Sequence, residues 1–149
     1  MSETAKQELP LESEAEIRDL VQRFESCSLP HNNWTHRAHL AVALCYASQM
    51  DYAKALATLR ENINTYNVRC GDPHGYSETI TRLFLGKVFD SVHKEGERIP
   101  VTEQLRNLER ACSVEWLYSY YSKARIWSAE ARSAWLPPDR KPLDFELPD

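Results

Sequence analysis

Apolar residues recur along this chain with the period of an α-helix, and that period limits what it can fold into more than any other feature. Ile17, Leu20, Val21 and Phe24 fall at i, i+3, i+4 and i+7, which places them on one helical face. Leu40, Ala41, Ala43, Leu44 and Tyr46 form a second such set, and Tyr52, Ala55, Leu56, Leu59, Ile63 and Tyr66 a third. Ile80, Leu83, Phe84, Val88 and Val92 form a fourth. No segment alternates apolar and polar residues between hairpin turns, so the chain reads as all-α. The expected architecture is a single-domain helical bundle of four principal helices, followed by short C-terminal helices.

Capping residues divide the pattern into elements. The first helix is expected from about Ser13 to Ser26, and Pro30 breaks it. The second starts near Trp34, with Asn33 or Thr35 as N-cap, and ends near Met50. Asp51 can cap the third, which stops at Cys70-Gly71-Asp72-Pro73. Ser77 can cap the fourth and Thr102 a fifth holding Leu105, Leu108 and Ala111. The aromatic-rich stretch from Val114 to Trp127 suggests short helices broken near Ser122, and Ser128 can open a last helix through Trp135. Residues 13–136 thus form the helical domain. Residues 1–12 read as a flexible acidic arm, and residues 137–149, rich in proline, as an extended or disordered tail.

A length of 149 residues suits one core, and 42% hydrophobic with 27% charged residues is ordinary for a water-soluble domain. The net charge of -4 and the lack of a Lys/Arg cluster argue against a nucleic-acid partner. No apolar run is long enough to span a bilayer, so no membrane partner is expected. The polar start MSETAKQELPLESEAE does not read as a signal or transit peptide, which makes a cytoplasmic location the simplest expectation. Cys27, Cys45, Cys70 and Cys112 have no C-x-x-C spacing and read as free thiols. Cys70, in an expected loop, is the one most open to reaction.

The stretch NNWTHRAHLAV carries His36 and His39 three residues apart at a helix start. That spacing puts both imidazoles on one side of the helix, able to grip one ion. Zinc, iron, manganese, copper and nickel all accept imidazole nitrogen. Glu78, in the first turn of the fourth helix, can supply a carboxylate if the two helix starts are neighbours. Two His and one carboxylate is a ligand set of catalytic zinc and of non-haem iron. Against this, H-x-x-H alone is a weak signal, and Glu in a first turn also suits the helix dipole. Trp34, Tyr76, Tyr118, Tyr120, Tyr121 and Trp127 can line a pocket for a planar ligand or fill the core. Arg125 and Arg132 can clamp an anionic group or pair locally. Phosphate loops, nucleophile elbows and E-x-x-H di-iron pairs are absent.

Three stretches carry a resemblance. They are Leu29-Pro30 with Trp34-Thr35-His36-x-x-His39-Leu40, Tyr66-Asn67 with Gly75-Tyr76-x-Glu78-Thr79-Ile80-Thr81, and Tyr121-Ser122 with Ala131-Arg132-x-x-Trp135 and Pro138-Asp139. Together, across roughly residues 15–145, they resemble a family of small bacterial all-helical proteins that has no assigned activity. The resemblance implies a site but no reaction. In that family the position of Ser77 is often histidine, giving three His and one Glu in two helix-start motifs. Here three alternatives stand: a three-ligand site, a site completed by His74, or loss of the metal.

The leading expectation is a mononuclear divalent metal site (Zn, Fe, Mn or Ni) of His36, His39 and Glu78, with His74 as a fourth ligand and hydrolytic or oxidative chemistry. Glu78 can instead act as general base. A ligand pocket is expected around Trp34, Tyr76, Ser77, Tyr120 and Arg132. The rival is a non-enzymatic interaction module whose His and Glu form a structural polar network. A third reading is a metal-free binder of a small aromatic ligand.

Overall fold

The computed structural model describes residues 5–148, and all its regular structure is helical. The long helices are α1 (Glu14–Glu25), α2 (His36–Ala47), α3 (Tyr52–Cys70), α4 (Glu78–Glu95) and α5 (Val101–Ala111). Short helices follow: α6 (Leu117–Tyr120), α7 (Lys123–Ile126) and α8 (Ala129–Ser133). None of the described helices is long and apolar enough to cross a membrane.

Most starts obey a side-chain cap. Ser13, Thr35, Asp51, Ser77, Ser122 and Ser128 each accept the backbone N–H three residues on, satisfying a donor that the helix itself leaves unpaired. For α2 the cap is Thr35, not Asn33, and the helix ends at Ala47, before Met50. Helix α5 departs from expectation. Its N-cap is Pro100, whose carbonyl accepts from Glu103 N and Gln104 N, so the helix is already under way at Thr102. Helix α8 stops short of Trp135. Buried Thr79 donates to Ala134 O and accepts from Leu136 N, pinning the chain in an extended form just before Pro137. Cys70 closes α3 rather than lying in a loop; its thiol donates to Cys27 O, and burial, then the neighbouring Cys27, push its pKa up.

Helix α2 is the hub. It packs against α1, α3, α4 and α5, and nine of its twelve residues are buried, including every position from Leu40 to Ala47. A helix apolar all round must be enclosed by others. A second, smaller core joins Leu83 of α4 to Leu117, Tyr120, Tyr121, Ile126 and Phe145. Phe84 and Trp116 touch both cores.

Both flanking segments pack onto this bundle. In residues 5–12, Leu11 is buried, Glu8 pairs with Arg37 and accepts from Thr35, and Asn33 donates to Gln7 O. At the other end the chain runs extended, with Asp139 accepting from Ser122 and Asp144 from Tyr120. Leu147 lies on Gly86, where a Cβ would overlap Leu147 Cδ2. Gly86→Ala removes a helical glycine, a gain of about 1 kcal/mol, but must push Leu147 aside. The gain should therefore be larger in a Leu147→Ala background than in the native chain, as read by urea unfolding. Equal gains would show that Leu147 does not sit there.

Candidate functional site

Thr35 sets the geometry of the histidine pair. By capping α2 it places His36 at the first helical position and His39 one turn later. His39 Nδ1 lies 2.6 Å from Thr35 O, and His36 Nε2 lies 2.8 Å from Cys112 O. A carbonyl can only accept, so both ring nitrogens carry the proton and donate. The opposite nitrogens, Nε2 of His39 and Nδ1 of His36, have no hydrogen-bond partner among the described residues. His39 stacks on Trp34 with centroids 3.7 Å apart, and Trp34 stacks on Phe24 in turn. Burial lowers the His39 pKa to about 4. The Thr35 bond opposes that shift, and the His36, Lys6 and His31 charges add to it. At neutral pH, His39 is therefore an uncharged ring whose Nε2 accepts. His36 meets Phe84 edge-on at 4.9 Å.

Both histidines line one pocket of about 300 Å³ in the middle of the bundle. Leu40 and Ala43 of α2, Leu59 and Ile63 of α3, and Ile80, Thr81, Phe84 and Leu85 of α4 form its walls. Gly75, Val114, Leu117 and Trp127 complete it. Trp127 is 46% exposed and Val114 40%, and both belong to the lining, so part of the pocket wall reaches solvent. Among the described residues, no Asp, Glu, Lys or Arg contributes to the lining.

Glu78 is committed elsewhere. Its buried carboxylate accepts from Arg60 Nε (2.9 Å) and Nη2 (2.7 Å), from Arg82 Nε (2.7 Å), and from the Tyr76 hydroxyl (2.7 Å). Burial alone would raise its pKa. The bonds from Arg60 and Tyr76, with the Arg60 and Arg82 charges, outweigh burial and hold it at about 2. A carboxylate with this many donors is a poor general base and has no lone pair aimed at the histidines. Among the described residues, no three His, Cys, Asp or Glu side chains stand close enough to hold a metal ion. The ligand set of His36, His39 and Glu78 is therefore not assembled. His74 is exposed, its N–H donating to Asp72, and does not complete it. Nor do His and Glu form one polar network, since the histidines bond to carbonyls and Glu78 to arginines.

The pocket residues expected from sequence scatter. Trp34 is buried behind His39, Tyr76 serves Glu78, and Ser77 caps α4 and donates to Ala131 O. Tyr120 lies in the second core, and Arg132 is exposed on α8. None of the five lines the pocket. Its actual walls were legible only as core positions, because a helical face that buries against a cavity has the same period as one that buries against a neighbour. The Glu78–Arg82 pair had a signal in its i, i+4 spacing. Arg60, on another helix, had none. Comparison with protein-family models, with curated proteins and with solved structures gives no significant match.

Proposed function

We propose that the protein binds a small, uncharged, largely apolar molecule in the pocket between α2, α3 and α4. The observation that carries this reading is a cavity of about 300 Å³ with no Asp, Glu, Lys or Arg of the described residues in its lining and two imidazoles among its apolar walls. Ligand sites are typically of this kind: mostly apolar, with a few placed polar groups, and from about 300 Å³ upward in volume. Exposed Trp127 and Val114 at its edge give a ligand a way in.

The test fills the pocket. Ala43 is buried in its wall, and Ala43→Phe puts a ring into the space a ligand would use. Overpacking a tight core costs about 1–3 kcal/mol, but here the cavity receives the added atoms. The variant should keep its stability within about 1 kcal/mol of the native chain. Phenol, indole and naphthalene, titrated by calorimetry and by backbone amide shifts, should bind the native chain and not the variant. Equal binding to both would place the site elsewhere.

A second reading is a metal ion between the two imidazoles. It is favoured by the carbonyl bond each ring donates, since metal-bound histidines usually anchor their other nitrogen this way. Its remaining ligands would have to come from outside the protein side chains described. Metal content after chelator-free purification is its measure. Near-unit stoichiometry lost in His39→Ala would support it, and metal absent after reconstitution would remove it.

A further inference from the structure

Resting on that pocket reading, we infer that the site selects a neutral ligand carrying a hydrogen-bond donor, a hydroxyl or ring N–H such as a phenol or an indole bears, held by the free imidazole nitrogen of His39. The polarity of the site follows from what its polar atoms can offer. Each imidazole spends one ring N–H on a backbone carbonyl, Cys112 O for His36 and Thr35 O for His39. The neutral His39 ring then presents its other nitrogen as an acceptor only. Both rings line the pocket, and His39 gives it an acceptor. Thr81 adds a hydroxyl, which can donate or accept.

Three consequences separate ligand classes. A carboxylate or phosphate would meet the His39 lone pair, and among the described residues neither Lys nor Arg lines the pocket to offset its charge; a buried anion without a partner is strongly disfavoured. A cation would meet no carboxylate of the described residues there, since neither Asp nor Glu lines the pocket and Glu78 is taken up by Arg60, Arg82 and Tyr76. A neutral molecule with a donor gives the His39 nitrogen a partner, and its ring can pack against Phe84 and Trp127. The carbonyl bonds and the Trp34 stack also hold the His39 ring in place, so little is spent on ordering it.

The experiment uses matched pairs that differ only in the donor: phenol against anisole, and indole against 1-methylindole, with benzoate as the anion. Calorimetric titrations of the full chain are run at neutral pH with a chelator present. The donor-bearing member should bind about tenfold more tightly than its methylated partner, the factor that one satisfied hydrogen bond of about 1.4 kcal/mol confers. Benzoate should bind more weakly than either neutral compound. In His39→Phe the preference for phenol over anisole should shrink, and in the native chain the His39 Nε2 nitrogen resonance should shift on adding phenol but not anisole. Because the pair comparison needs no variant, a folding defect in His39→Phe would not spare the inference. Anisole binding as tightly as phenol, with the pocket still blocked by Ala43→Phe, would overturn donor selection while leaving the pocket reading intact. Absence of binding by every compound would overturn both.

Discussion

Replacing Glu78 with alanine is expected to cost the protein about 2–4 kcal/mol, the largest effect of any single polar substitution proposed for it. Its carboxylate is almost wholly out of water, with 9% of the side chain exposed, and it pairs with Arg60 and Arg82 at once. Breaking a fully buried pair costs about 3–5 kcal/mol, because the surviving charge is stranded. Here the arginines are 40% and 37% exposed and can turn partly to water, which reduces the penalty. The Tyr76 hydroxyl loses its acceptor as well. Urea unfolding is the measure, and Glu78→Gln should fall between native and alanine, because its amide oxygen can still accept from one arginine. A folded-state pKa of about 2, below the usual carboxylate value, means that this contribution is fully present above about pH 4.5 and fades as pH falls towards 2. A Glu78→Ala midpoint equal to the native one would show that the cluster adds nothing to stability.

That cluster also marks where sequence reasoning stops. Helix starts were legible because a cap is a local event: Ser13, Asp51, Ser77 and Ser128 act on an N–H three residues away. The all-helical class was legible for the same reason, since the 3.6-residue period belongs to one element at a time. Pro100 was missed as the start of α5 because it caps with its backbone carbonyl, while Thr102 has the better side chain for that role. The site was half legible. The spacing of His36 and His39 puts both on one side of α2, and both line one pocket, but none of the residues expected to form the ligand pocket does. What else stands near them depends on helix packing, which brings the Cys112 carbonyl to His36 across 76 residues of sequence and gives Glu78 to Arg60 of α3. A carboxylate at a helix start can serve a metal or an arginine equally well, and only the partner helix decides.

Between about pH 6.5 and 4, stability should fall with acidification, and His39 should be a principal cause. In the unfolded chain its imidazole takes up a proton near pH 6.5; in the folded chain burial holds the pKa at about 4. The unfolded state therefore binds more protons across that window, and stability rises with pH through it, levelling above about 6.5. The full separation corresponds to roughly 3 kcal/mol at 1.36 kcal/mol per pH unit, and partial exposure of the ring brings the expectation nearer 2. His39→Gln removes the titrating group while keeping an amide that can donate to Thr35 O. Over pH 6.5 to 4.5 the native chain should lose stability more steeply than this variant, by a slope approaching one proton. Parallel curves would mean that the ring takes up its proton in the folded protein as readily as in the unfolded chain, so that burial does not keep its acceptor nitrogen free below pH 6.5.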